Sequence, residues 1–323
     1  MEKQYANKYL IETGIGLQDV DGLKNSPYFL SESSRYIKGE ISLDEFDRII
    51  ASYYAKKEAA DGRSEEADRV AIRIAKVISE DAFTFTVGQL KAIHKTLFDG
   101  ILQHPGEIRT YNFSKKEWIL DGASVTYGDF RDLETTLQYD FELEKKFRYQ
   151  GLSLDDTIEH LALFVSNMWQ IHAFEEGNTR ATAVFFIKYL RSLGFDVTND
   201  SFAKHSWYFR NALVRANYTN VAKKVFEDRS FLIRFLRNLL LNEKNELKNR
   251  EMHIRGFAIV NEETKENRIL DLIKSDPHIS SETLSKSVGV SVRTVKGVVK
   301  TLVDKKVIKR VNGKRYGYWE VKG

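Results

Sequence analysis

The chain has 323 residues, 42% of them hydrophobic and 12% aromatic, with a formal net charge of +4 and no cysteine. That length and apolar content allow two or three domains with a packed core and exclude a disordered chain, while the missing thiols exclude disulfides and thiolate metal sites. The charge is uneven: residues 268–323 carry 13 Lys/Arg against 5 Asp/Glu, a net of +8 that leaves −4 on the remainder.

A basic tail of this kind suits a polyanion, although a merely solvated lysine-rich surface has the same composition. The opening Met1-Glu2-Lys3-Gln4-Tyr5 has no apolar signal region, and no run approaches membrane-spanning length. The expectation is a cytoplasmic protein without membrane contact. Only three prolines and many segments of helical period indicate a mostly α fold.

Residues 1–60 read as a small helical extension. Within it, residues 33–54 form two short helices around Lys38-Gly39-Glu40, and Ser42 with Glu45 makes a capping box at the start of the second. Residues 57–64 are charged and small, as in a linker.

The body, 61–250, opens with a helix over 65–78 that carries Val70, Ile74 and Val77 on one face. A helix over 86–97 follows, with Leu90, Ile93 and Leu97 at helical spacing. Between Gly106 and Gly128 the pattern shifts to two short β-like pieces, 118–120 and 124–126, about Asp121-Gly122, the signature of a hairpin. Helices resume over 130–147, 154–171, 180–193, 206–218 and 230–248. His94 and His104 flank a loop and read as structural, and no pair of histidines has metal-ligand spacing.

Residues 251–266 read as a linker and 267–323 as a compact second domain. Its helices fall at 269–273, 281–287 and 292–303, with a turn at Gly289-Val290-Ser291 and a hairpin over 307–321 turning at Asn312-Gly313. Helix-turn-helix followed by a β-ribbon describes a winged helix. In the third helix Val292, Val295, Val299 and Leu302 face inward, while Arg293, Lys296 and Lys300 line the opposite face and Lys314 and Arg315 tip the wing. Basic residues on both elements point to DNA as a partner, with a protein-docking module as the alternative.

One run concentrates the chemistry: His172-Ala173-Phe174-Glu175-Glu176-Gly177-Asn178-Thr179-Arg180. It joins a base-capable imidazole, carboxylates, a Gly-Asn turn and a guanidinium just ahead of a helical stretch, and a helix N-terminus is a ready anion site. The run resembles the motif of the Fic family, H-P-F-x-(D/E)-G-N-G-R-x-x-R. The likeness extends over the preceding helix, the segment with Gly106-Glu107-Ile108-Arg109, and the helix ending Arg215-Ala216-Asn217-Tyr218. The fold that this resemblance implies is a Fic-type helical bundle with a β-hairpin flap, followed by the winged-helix domain.

The resemblance also implies an enzyme, a protein adenylyltransferase that moves AMP from ATP to a Ser, Thr or Tyr hydroxyl of a target protein. His172 would be the general base, Phe174 a buried anchor and Glu176 the ligand of Mg²⁺. Gly177, Asn178 and Thr179 would cradle the phosphates and Arg180 would grip the outer ones. Asn217, with Tyr208 or Phe209, would line the adenine pocket, and Trp118, Ile119 and Leu120 would offer the flap edge on which the target peptide adds as a strand. A homo-oligomer is compatible with the same reading. Another donor, such as UTP or CDP-choline, would fit the same cradle, and the alternative function is a DNA-binding regulator whose Fic-like body senses a nucleotide.

The chain departs from the motif at three positions. Ala173 stands for proline, Thr179 for the second glycine and Ala183 for the second arginine. The Thr179 hydroxyl is expected to add a donor to phosphate or metal. Ala183 removes one charge-assisted contact, worth about 2 kcal/mol. The inhibitory hexapeptide (S/T)-x-x-x-E-(G/N) of many Fic proteins is absent, and its nearest look-alike, Ser33 to Gly39, has Lys38 where the glutamate would stand.

Overall fold

The computed structural model describes residues 2–56, 62–254, 265–288, 290–311 and 317–321, and side chains are described for these apart from 2, 265–268, 271 and 286. The chain divides into two compact units, residues 1–253 and 254–323.

The first unit is helical. Its leading helices are α1 (Glu2–Gly16), α2 (Pro27–Lys38) and α3 (Leu43–Ala55), with a 3-10 turn at Leu17–Asp21. Helix α3 starts as its sequence dictates: the Ser42 hydroxyl accepts from the Glu45 N–H, and the Glu45 carboxylate from the Ser42 N–H. These helices share a core with α4 (Gly62–Ser79), in which Ile11, Phe29, Phe46 and Ile50 pack with Ala71, Ile72 and Ala75. Fully buried Asp68 of α4 ties them down, accepting from the Ser26 and Tyr54 hydroxyls. The leading segment is therefore integral to the first unit. Helix is already formed at Gly62, so the linker expected over 57–64 stops short of that residue, and 57–61 lie outside the described residues.

Close approach is built into α1. A Cβ on Gly14 would fall 2.3 Å from the Ala71 carbonyl oxygen, so only glycine lets α1 and α4 cross there.

Helices α5 (Val87–Phe98), α6 (Leu133–Lys146), α7 (Leu154–Ile171), α8 (Asn178–Ser192), α9 (Ser201–Ala216) and α10 (Ser230–Leu241) complete the unit. Helix α8 is its axis, for every residue from Asn178 to Leu190 is buried. A helix enclosed on every side must pair the polar groups it carries. Even Lys188 conforms, its ammonium donating to the Val77 and Glu80 carbonyls at the C-terminal end of α4.

The hairpin expected over 118–126 is not formed. Trp118–Leu120 make a 3-10 turn, and Gly122 N–H returns to the Glu117 carbonyl at 2.9 Å. No strand lies in the first unit among the described residues. Asp121 and Gly122 both adopt positive φ, +56° and +83°, but they serve a tight loop instead of a ladder.

The second unit has α11 (Lys265–Ser275), α12 (Ser281–Val288), α13 (Val292–Asp304), β1 (Ile308–Val311) and β2 (Tyr318–Val321). The strands pair antiparallel, Ile308 opposite Val321 and Val311 opposite Tyr318. Ile269, Ile273, Leu284, Val295, Val299, Leu302 and Ile308 form the core. No described helix is long and apolar enough to cross a membrane.

Candidate active site and nucleic-acid interface

Helix α7 ends at Ile171, and His172 caps it in the left-handed conformation, φ +52° and ψ +57°. Histidine tolerates this region better than most residues, yet it turns the chain sharply there. Arg109 holds the turn: its Nε donates to the His172 carbonyl at 2.8 Å, and its N–H donates to the Ala173 carbonyl at 2.9 Å. Its Nη2 reaches the Gly128 carbonyl at 2.6 Å, which joins the loop after α7 to the flap.

The loop from 173 to 177 is clamped from within and below. Asn178 spends its side chain on Phe174, accepting from the Phe174 N–H at 2.9 Å and donating to its carbonyl at 2.7 Å. Phe174 lies flat on His94, ring centroids 3.8 Å apart. His94 Nδ1 accepts from the Gly106 N–H at 2.8 Å, so Nε2 carries the proton and donates to the Glu176 carbonyl at 3.0 Å. Burial lowers the His94 pKa to about 4 and keeps it neutral. Gly177 has φ +71°, and a Cβ there would meet the Phe98 ring at 2.4 Å, so glycine is required on both counts.

This scaffold leaves the first N–H groups of α8 without intrahelical acceptors, beside the exposed Glu176 carboxylate. Glu175 turns instead to His104 Nδ1, 3.2 Å away.

The His172 imidazole is 3% exposed. Tyr127 stacks on it at 4.0 Å, and Phe113 and Trp169 meet it edge-on at 5.6 and 5.2 Å. Nδ1 lies 3.3 Å from the Trp169 carbonyl, and Nε2 is buried without a hydrogen-bond partner. Burial, helped by the positive charges of Lys115, Arg109 and Arg210, drives its pKa well below the usual value. The ring is therefore neutral, with Nδ1–H toward the carbonyl and a lone pair on Nε2. Phe113 and Tyr127 also line a cleft of about 600 Å³ with Ser114, Ser124 and Thr126.

Several residues stand elsewhere than the motif implies. Arg180 is 1% exposed and is consumed internally. Its Nε faces Asp21 at 2.9 Å, its Nη2 faces Glu66 at 2.7 Å, its Nη1 donates to Gln18 at 3.2 Å, and the group lies over the Phe98 ring. It cannot also grip an outer phosphate in this arrangement. The Thr179 hydroxyl accepts the Trp169 indole N–H at 3.0 Å, which fixes a wall of the His172 pocket. Thr179 lies inside α8, so no positive φ strains it.

The three residues expected at the adenine pocket have internal partners. Tyr208 and Phe209 are buried in the core, where Phe209 packs with Phe202 and Phe235 to join α9 to α10. The Asn217 amide donates to the Leu213 and Ser166 carbonyls, finishing α9 and tying it to α7. The flap edge fails for a related reason. Ile119 and Leu120 are fully buried and only Trp118 is exposed, so these three residues present no strand edge.

The residues that sequence reasoning missed are the partners: Asp21 and Glu66 around Arg180, Phe113 and Tyr127 over His172, and Glu117, which binds Arg210 through both oxygens at 2.6 and 2.9 Å. None stands in a motif, and only tertiary contact reveals them.

In the second unit the Ser291 hydroxyl caps α13, accepting from the Thr294 N–H at 3.1 Å. Val295, Val299 and Leu302 are buried and Val292 half-buried, whereas Arg293, Lys296 and Lys300 are exposed. That matches the expected division of the helix into core face and basic face. On the strands, Lys309 pairs with Glu320 and Arg310 lies over Trp319. Lys314 and Arg315 lie outside the described residues.

Residues 84–190 match the Fic/DOC family, and residues 263–309 match the winged helix-turn-helix DNA-binding family. Among solved structures, a Fic family protein from Desulfovibrio desulfuricans G20 is 12% identical, with 98% of this chain and 87% of that one covered and a TM-score of 0.46. The N-terminal FIC domain of Bep8, a VirB-translocated effector protein from Bartonella sp. 1-1C, is 19% identical, with 54% of this chain and 82% of that one covered and a TM-score of 0.42. No curated protein matches the sequence. The chain thus carries a Fic/DOC-family domain, followed along the sequence by a winged helix-turn-helix domain.

Proposed function

We propose that the first unit transfers AMP from ATP to a hydroxyl side chain of a target protein. The observation that carries this reading is His172 itself: a neutral imidazole with a buried, unpartnered Nε2 at the end of α7, close in sequence to the start of α8. An unpaired buried acceptor is costly, and a general base needs such a lone pair.

In the reaction, the target hydroxyl oxygen attacks the α-phosphorus of ATP, and its bond to phosphorus forms as the bond to pyrophosphate breaks. His172 Nε2 takes the hydroxyl proton. The N–H groups at the start of α8 receive the negative charge of the phosphates. Phe113 and Tyr127 cover the imidazole and must part from it before a hydroxyl can reach Nε2.

Magnesium fits the residues present. Its sites use one or two carboxylates with phosphates and waters completing the shell, and Glu176 offers one exposed carboxylate beside the phosphate cradle. Among the described residues no cluster of three acidic or histidine ligands forms an all-protein site. Bound with the nucleotide, the ion would neutralise phosphate charge; Glu176 would hold it.

The test is labelling of the full chain and of cell-lysate proteins with α-labelled ATP and Mg²⁺. Transfer is expected from the unaltered protein and lost in His172→Ala, and equal labelling by that variant rejects the mechanism. Competition with UTP and CDP-choline identifies the donor.

A second reading concerns the winged helix, whose exposed Arg293, Lys296 and Lys300 support DNA binding. In that reading the chain is a regulator and the Fic domain reports nucleotide to it. A change in operator affinity on adding ATP to the His172→Ala protein would favour it.

A further inference from the structure

The positive charge that a triphosphate needs is missing from both places where the motif would supply it. Arg180 is enclosed by Asp21 and Glu66, and position 183 is a fully buried alanine. The flap offers a replacement. From Asn112 to Trp118 exposure alternates: residues 112, 114, 116 and 118 are exposed, whereas 113, 115 and 117 are half-buried or buried. A period of two is that of an extended chain with one face inward.

The two neighbours of Lys115 on the inward face have known positions. Phe113 meets the His172 ring at 5.6 Å, and Glu117 is 1% exposed and bound through both oxygens to Arg210. Lys115 stands between them, its own N–H anchored on the Ser124 hydroxyl at 3.1 Å. Among the described residues its ammonium makes no ion pair. The Glu117 charge is already balanced by Arg210, so the Lys115 charge on this face is uncompensated. It also weighs more on His172 than any other charged group does.

We propose that Lys115 is the phosphate-binding cation of this site, receiving the phosphate charge of the nucleotide in place of Arg180 and the arginine missing at 183. This rests on the reading of the first unit as a nucleotidyl transferase. Lysine suits the task because its compact charge on a flexible stem can follow the phosphates as the flap parts.

Calorimetric titration of the full chain with MgATP and, separately, with adenosine tests the assignment. The unaltered protein is expected to bind MgATP more tightly than adenosine. Lys115→Met is expected to weaken MgATP about thirtyfold, the worth of one charge-assisted contact, while adenosine stays within twofold, and Lys115→Arg is expected to keep most of the MgATP affinity. MgATP binding by Lys115→Met within twofold of the unaltered protein would overturn the assignment, as would equal loss of both ligands, which marks a collapsed flap. Failure of the unaltered protein to bind either ligand would instead defeat the nucleotide reading, and this assignment with it.

Discussion

The guanidinium of Arg180 lies 2.7 Å from the carboxylate of Glu66, a residue 114 positions earlier in the chain. Asp21 completes the grip from the leading helices. The arginine of the motif thus joins three parts of the first unit, with Phe98 beneath it. Removing one partner of a buried ion pair costs about 3–5 kcal/mol, because the charges left behind are uncompensated. Asp21 and Glu66 keep some solvent contact, so Arg180→Ala is expected near the lower end, about 3 kcal/mol. Urea denaturation of the nucleotide-free protein measures it. A normal midpoint with weakened nucleotide binding would return Arg180 to a phosphate role.

What was legible in the sequence follows the range of the forces involved. Helices α3, α4, α7 and α13, and the second half of α2, are legible because caps and apolar spacing act within a few residues. The winged helix was legible for the same reason. The flap departs from the strand expectation because Asp121-Gly122 announces a turn without saying what the flanking residues face. Trp118-Ile119-Leu120 has strand-like composition, but Ile119 and Leu120 find a core to fill. Within the site, the motif located His172, Glu176 and Gly177, while the positions of Arg180, Tyr208 and Phe209 depended on contacts distant in sequence.

The flap correction has a direct test. Ile119→Ala empties a fully buried site and is expected to cost about 2–5 kcal/mol in unfolding free energy. Trp118→Ala, at a residue 51% exposed, is expected to change stability by less than about 1 kcal/mol. Were 118–120 a free strand edge, the two substitutions would be similar and mild.

The two buried histidines set a dependence on acid. His94 is held to a pKa of about 4 from an ordinary 6.5, mainly by burial, and His172 is held well below 6.5. As pH falls through 6.5 the unfolded chain takes up protons that the folded chain refuses, so stability present above that pH is lost on the way down to 4. For His94 the loss amounts to about 3 kcal/mol. Urea midpoints should be level above neutrality and fall steadily in acid, and His94→Gln should flatten part of that fall.

The second unit allows a test independent of nucleotide chemistry. A protein that neutralises phosphates of duplex DNA releases counterions, so its affinity falls with salt along a slope set by the number of contacts. Arg293, Lys296 and Lys300 share the exposed face of α13, whereas Val295 and Val299 hold the core. Replacing Lys296 or Lys300 by alanine should lower the logarithmic salt slope by about one for each phosphate contact removed. Replacing Arg293, in the first turn of α13, should instead alter which sequences are preferred if its fork reaches a base edge. Fluorescence anisotropy of the full chain on random and selected duplexes separates these outcomes. A salt slope unchanged by all three substitutions would assign this face to a protein partner instead.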